Sequence, residues 1–292
     1  MIGVEIGNIL ISPLHSYRIL KKVGKGNTSN VYLAIEEIYN QSSIDYCIIK
    51  ELRLDCTFTD GKCEIASTSL RNNIRRKDFQ KEVDILSKLN HPHIVQMKEA
   101  FVAYGTQYIV LNYVKGENLF QYTKNKKNKC VSEKEAIEIT CEVARILGCL
   151  HDRKILHLDI QPHNIMRSSC GEIVLIDFGN SMQYNDSGFA YDKTGIREGA
   201  IGYCPMEQIR NNQCIRFHPY LDVYSLLATF YFLLTGEDPP TSSINTDWSF
   251  LSKKLTNNIT ETTIELLFQG FRSIRECVIQ STSDYLCYFG KV

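Results

Sequence analysis

The longest apolar stretch of the chain, Val223 to Thr235, reads VYSLLATFYFLLT over thirteen residues. A membrane-spanning helix needs about twenty. A helix this short and apolar on every side has to be wrapped by other elements, in the middle of a lobe large enough to cover it. With 292 residues the chain can supply one large domain or two lobes, and a core buried without staples. Hydrophobic residues make up 43% and charged residues 23%, which excludes disordered, collagenous and coiled-coil classes. Lys+Arg and Asp+Glu number 33 each, so no net field draws the chain to nucleic acid or to an acidic membrane.

The eleven cysteines come no closer than seven residues apart, so there is no C-x-x-C knuckle, and the odd count leaves at least one thiol unpaired. The first eight residues carry Glu5 rather than a basic run and match neither a secretory signal nor a myristoylation start. The expectation is reduced thiols, a cytoplasmic protein and no membrane segment.

The pattern changes once along the chain. Tyr17 to Val23 and Val31 to Ile38 read as strands around a Gly-rich turn, and Cys47 to Lys50 as a third. Asp78 to Leu89 reads as a helix with Phe79, Val83, Leu86 and Leu89 on one face, stopped by Asn90-His91-Pro92. Ile94 to Val102 and Gln107 to Val114 are strands flanking Gly105. After a connector at Asn112 to Gly116, helices and loops dominate, opening with a Ser132/Glu135 capping box on a helix through Leu150. Lys124, Lys126, Lys127 and Lys129 read as a solvated basic loop.

Several groups suited to phosphate chemistry follow in one order. Gly24-Lys25-Gly26-Asn27-Thr28-Ser29-Asn30-Val31 joins two strands, and its glycines let backbone pass close over phosphates. Lys50 ends a strand, and Glu82 on the next helix can pair with it. His157-Leu158-Asp159-Ile160-Gln161-Pro162-His163-Asn164 sets an Asp and an Asn five positions apart, and Asp177-Phe178-Gly179 begins thirteen beyond Asn164. Oxygen ligands from two such loops suit Mg2+, a small, hard cation.

In this order the residues resemble the eukaryotic-like Ser/Thr protein kinase superfamily, from about Tyr17 to Thr235. Phe79-Gln80-Lys81-Glu82, Gly199 to Glu207 and Asp222-Val223-Tyr224-Ser225-Leu226 add to the likeness. The resemblance implies an α+β, bilobal fold: a strand-rich N-lobe over residues 1–114, with an insertion at about 55–77, and a mostly helical C-lobe over 115–292. It implies ATP and Mg2+ as cofactors and Ser/Thr hydroxyls of proteins as acceptors. Lys50, held by Glu82, would contact the α- and β-phosphates, Asp177 and Asn164 would bind metal, and Asp159 would orient the acceptor hydroxyl and take its proton. Val23, Gly24 and Gly26 would cover the nucleotide. Val31, Ile48, Leu111 and Met166 would line the adenine slot, with backbone bonds from Asn112 and Val114. Asp222 would hold the backbone of the catalytic loop.

Four departures stand beside the match. Leu158 takes the place of the Arg that often precedes the catalytic Asp, so activity is expected not to require a phosphate on Ser181, Ser187 or Thr194. Gln161 replaces the family's Lys and Ala200 the Thr that contacts it; Ile48 replaces Ala, which implies weaker ATP binding or an altered nucleotide preference. Glu207 would pair with Arg272 or Arg275. The insertion, with a turn at Asp60-Gly61-Lys62 and a basic end at Arg71, Arg75, Arg76 and Lys77, reads as a solvated surface segment, and a regulatory loop is the second reading. A pseudokinase binding module and a small-molecule phosphotransferase of the aminoglycoside or choline kinase kind are the alternatives in function.

Overall fold

The computed structural model describes residues 5–26, 28–37, 44–59, 62–65, 69–190, 199–205, 208, 217–239, 259–265, 267 and 269. Asn27, Asp60, Gly61, Thr194, Met206, Glu207, Arg272 and Arg275 lie outside them. The chain divides into two compact units, one of residues Met1–His91 with Val95–Val114, the other of Pro92–Ile94 with Lys115–Val292.

The first unit is built on a six-stranded antiparallel sheet. Its strands are β1 (Ile9–Ile11), β2 (Ser16–Lys25), β3 (Ser29–Glu36), β4 (Asp45–Leu52), β7 (Met97–Ala103) and β8 (Thr106–Asn112), in the order β1-β2-β3-β4-β8-β7. Alternation along the strands sends Tyr32, Ala34, Cys47, Ile49, Tyr108 and Val110 to one face, where they pack with Leu10, Tyr17, Ile19 and Phe101. Burial there pushes the Cys47 thiol up to about 12, although Lys98 pulls it down. Two buried carboxylates are satisfied by hydroxyl and amide donors. Glu99 accepts from Ser12 Oγ at 2.7 Å and Tyr17 OH at 2.5 Å. Glu51 accepts from Asn30 at 2.8 Å and from Tyr32 and Tyr108 at 3.1 Å each. Such partners offset the cost of taking charge out of water.

Between β4 and β7 stand the hairpin β5 (Cys56–Thr59) and β6 (Lys62–Ile65), then helix α1 (Leu70–Leu86). The helix begins eight residues before the expected Asp78 and ends at Leu86 rather than Leu89. Its first two turns show no apolar stripe, since Leu70 and Ile74 are 75% and 44% exposed, so periodicity could not find them. Ser69 caps its start, accepting from Asn72 N at 3.4 Å. The insertion is therefore a hairpin followed by helix, and the basic residues lie on that helix rather than in a loop. The expected strand from Ile94 begins at Met97; Ile94 instead forms an isolated bridge with Leu175 in the second unit.

The second unit holds β9 (Gly116–Asn118), α2 (Leu119–Asn125), α3 (Glu133–His151), β10 (Ile155–Leu156), a 3-10 turn at Pro162–Asn164, β11 (Ile165–Ser168), β12 (Ile173–Leu175), β13 (Met182–Gln183) and α4 (Tyr220–Thr235). Every residue of α4 from Leu221 to Leu234 is buried, as its apolar surface demands. Gly236 ends it at φ 70°, and a Cβ there would lie 1.8 Å from the Lys129 carbonyl oxygen. Only the forward half of the expected capping box forms: Ser132 Oγ accepts from Glu135 N at 3.3 Å, while the Glu135 carboxylate receives Tyr122 OH and, at 3.2 Å, Lys126. The lysine-rich segment is not simply solvated, since Lys124 lies in α2 and donates to Gly236 O at 2.6 Å.

Candidate active site

The glycine-rich turn joins β2 to β3, closed by Gly26 N donating to Ser29 O at 2.8 Å. Val23 is largely exposed beside it, and Gly24 pairs with Val31. The register sets Val31 against Lys50, Leu33 against Ile48 and Ile48 against Leu111, so these side chains share the sheet face opposite the core. Ile48 is half-buried on that face.

Lys50 Nζ meets Glu82 Oε1 of α1 at 2.5 Å, with the two residues 6% and 4% exposed. Removing either partner of so buried a pair typically costs about 3–5 kcal/mol, because the other charge is left uncompensated. Asn112 N donates to Gln96 O at 2.9 Å, so its N–H is already paired. Val114, half-buried, closes the first unit.

In the second unit, Asp159, Asn164 and Asp177 come from two loops tied together. Asn164 Nδ2 donates to Asp159 Oδ2 at 2.8 Å and to the Asp159 carbonyl at 2.9 Å. Ile176 N donates to Asn164 O at 3.0 Å, which fixes the residue before Asp177. Asp177 takes φ 62°, and its Oδ1 accepts from Gly179 N at 3.2 Å. Burial lifts the Asp159 carboxyl above the ordinary carboxylate range and the Asp177 charge adds to this, while His157, Asn164 and Gln161 oppose it. Met166 lies on β11, half-buried, paired with Val174 and Asn118.

The backbone at His157 and Leu158, just before Asp159, is held from α4. Asp222 Oδ2 accepts from His157 N at 2.9 Å and Oδ1 from Leu158 N at 2.8 Å. This is the role expected for it. Burial alone raises the Asp222 carboxyl, but His151 and the His157 N–H more than reverse that and hold it below the ordinary range.

Three further contacts escaped the reading of the sequence. Gln161 Nε2 donates to Asp159 Oδ1 at 2.9 Å, so this amide grips one oxygen of the Asp159 carboxylate. Gln208 Nε2 donates to Leu158 O at 2.7 Å, and His151 Nε2 lies 2.9 Å from Asp222 Oδ2. Each link spans a separation that no local motif marks, except Gln161, which sits within the loop itself. Leu158, in place of an Arg, is buried with Leu156, Met182, Tyr184, Phe217 and Leu221. Ser181 is also buried and donates to His157 O at 3.3 Å, so it is a structural group rather than an exposed phosphate acceptor.

Among the described residues no three His, Cys, Asp or Glu side chains cluster as a metal site. The oxygen set of Asn164 and Asp177, with Asp159 beside it, suits a hard cation that keeps waters and phosphate oxygens as further ligands.

The protein kinase domain family matches residues 17–287. The probable serine/threonine-protein kinase PknB of Lactococcus lactis is 28% identical over 241 residues, covering 81% of this chain and 34% of that protein. Serine/threonine-protein kinase PrkC of Bacillus subtilis is 30% identical over 223 residues, covering 76% and 31%. Mouse serine/threonine-protein kinase Nek3 is 28% identical over 226 residues, covering 77% and 39%. The chain thus spans about a third of the length of these relatives. A solved structure titled "PpkA-294 apo form" superposes with a TM-score of 0.74 at 18% identity, covering 99% of this chain and 100% of that one. That likeness shares the fold, strand-rich unit and helical unit alike, and the sequence match extends over most of the chain: it belongs to the protein kinase domain family.

Proposed function

We propose that this chain transfers the γ-phosphoryl group of ATP to Ser/Thr hydroxyls of protein substrates, with Mg2+. The observation that carries the reading is the Asp159 carboxylate, gripped on one oxygen by Gln161 and on the other by Asn164, in a loop hydrogen-bonded to the one bearing Asp177. Asp159 orients the acceptor hydroxyl and takes its proton, a contribution of about 10²–10⁴-fold for a positioned base. Lys50, held by Glu82, binds the α- and β-phosphates. Asn164 and Asp177 hold magnesium, which when bound neutralises charge on the phosphate oxygens. Val23, Gly24, Gly26, Val31, Ile48, Leu111, Asn112, Val114 and Met166 bind and orient the nucleotide, their common sheet face supporting this for Val31, Ile48 and Leu111.

Free thiols at Cys47, Cys130, Cys141 and Cys170 support a cytoplasmic setting. No described helix is long and apolar enough to cross a membrane. The partner implied is a protein substrate, not nucleic acid.

The test is Mg-ATP-dependent labelling of generic protein acceptors by wild type and Asp159→Ala. Wild type is expected to label the acceptors, and Asp159→Ala to abolish the labelling while nucleotide binding persists. Nucleotide binding with no transfer by wild type would indicate a binding module instead, and label found only on small amines or alcohols would indicate a small-molecule phosphotransferase. Ile48→Ala is expected to tighten ATP binding. Equal affinity in the two proteins would dismiss the idea that Ile48 narrows the nucleotide slot.

A further inference from the structure

The first two turns of α1 are held by polar contacts rather than by apolar packing. The buried face of the helix gathers its apolar members at Phe79, Ile85 and Leu86, in the C-terminal half. At the other end Asn72, 1% exposed, makes a reciprocal pair with the chain just after β4: Asp55 N donates to Asn72 Oδ1 at 2.8 Å, and Asn72 Nδ2 donates to Asp55 O at 2.9 Å. Arg75, whose side chain is 14% exposed, donates to Asp55 Oδ1 at 2.8 Å and to the Arg53 carbonyl at 3.1 Å. Arg53 in turn reaches the glycine-rich turn twice, its guanidinium donating to Gly26 O at 3.0 Å and its N–H to Thr28 O at 2.8 Å.

One continuous set of hydrogen bonds therefore runs from the glycine-rich turn through Arg53, Arg75 and Asp55 to Asn72. From Asn72 to Glu82 is about 15 Å of helix at 1.5 Å per residue, short and stiff enough to move as a rod. The hairpin that follows Asp55 folds back on the same unit. Arg76 donates to Gly105 O at 2.8 Å, and a Cβ on Gly105 would lie 2.9 Å from Ile65 Cδ1.

We propose that Asn72, Asp55, Arg75 and Arg53 form a clamp that positions α1 so that Glu82 meets Lys50, and that couples this ion pair to the glycine-rich turn. These are positioning residues. Their meaning for phosphate transfer rests on the function proposed above, but the clamp itself is a statement about the free protein. With the clamp released, α1 keeps its C-terminal packing and the Arg76 bond to Gly105 O, and a tilt of the helix on these remaining contacts draws Glu82 away from Lys50. The insertion is then a brace on the helix rather than a passive surface segment.

The test needs neither nucleotide nor turnover. The rate at which an amine-reactive acylating reagent labels Lys50 is followed by mass spectrometry in wild type, Asn72→Ala, Arg75→Ala and the milder Arg75→Lys. Lys98, ion-paired with Glu36 and Asp45 on the same sheet, is the internal control. Release of the clamp should raise Lys50 labelling about tenfold in Arg75→Ala, the scale of losing a hydrogen bond to a charged group, and less in Arg75→Lys; Asn72→Ala, which strands the main-chain N–H and C=O of Asp55, should raise it by a comparable factor. Lys98 labelling should stay constant. In a Glu82→Gln background, Arg75→Ala should add little, because both changes act on one contact. Unchanged Lys50 labelling, or Lys98 rising in parallel, would overturn the proposal. Phosphate transfer by wild type is assayed separately, so its absence would count against the proposed function while the labelling still decides the clamp.

Discussion

Asp159 is held by two amides, and removing one should show in turnover more than in binding. Gln161→Ala is expected to lower kcat about tenfold, the scale of one hydrogen bond to a charged group, with little change in KM for ATP. Steady-state kinetics check this, and an unchanged kcat would make the Gln161 contact incidental. The burial of Leu158 among Leu156, Met182 and Tyr184 bears on regulation, since no cation stands at that position to receive a phosphate. Ser187→Ala, at an exposed site, should leave turnover intact, whereas Ser181→Ala should lower thermal stability through its lost bond to His157 O. A large activity loss in Ser187→Ala would contradict this. His218 supplies a pH dependence. Burial lowers its pKa below the ordinary 6.5, and the nearby His151 and Lys154 add to that. The unfolded chain therefore takes up a proton that the folded chain resists. The stability is fully present above 6.5 and is lost as pH falls from there toward the depressed folded value. Melting temperature should drop over that window, and less steeply in His218→Gln; parallel profiles would show that His218 is not the group responsible.

At the scale of elements, two glycines with the same backbone sign make opposite demands. Gly171 has φ 91°, and the nearest atom to where a Cβ would sit is Arg167 Nη2 at 3.8 Å, so Gly171→Ala should cost about 1–2 kcal/mol from conformation alone. Gly236 ends α4 with the Lys129 carbonyl 1.8 Å from where a Cβ would sit, so Gly236→Ala must also push backbone aside and should cost clearly more. Denaturant unfolding of the two variants compares them directly, and equal losses would show that backbone relaxes freely there. Periodic elements are legible in the sequence. The strands around the glycine-rich turn, α3 and the all-round apolar α4 follow from period and composition. The start of α1 is not, because its first turns are fixed by Asn72 and Arg75 reaching Asp55 across a hairpin, and polar anchoring leaves no hydrophobic period to read.

For the whole molecule, the order of Lys50, Glu82, Asp159, Asn164 and Asp177 makes the family legible in the sequence, because few folds need that series of charges and amides. The structure places the first two in one unit as an ion pair and the last three in the other as a bonded loop pair. What spacing could not supply is the support behind them. Asp222 and Gln208 grip Leu158 on both sides of its backbone, from positions 64 and 50 residues away. The measurement that tests the central claim most directly is transfer from γ-labelled ATP with Mg2+ to a generic protein acceptor, by wild type and Asp177→Asn in parallel. The account predicts label on Ser or Thr of the acceptor with wild type and background label with Asp177→Asn. Equal label from the two proteins, or none from a folded wild type that binds ATP, would contradict it.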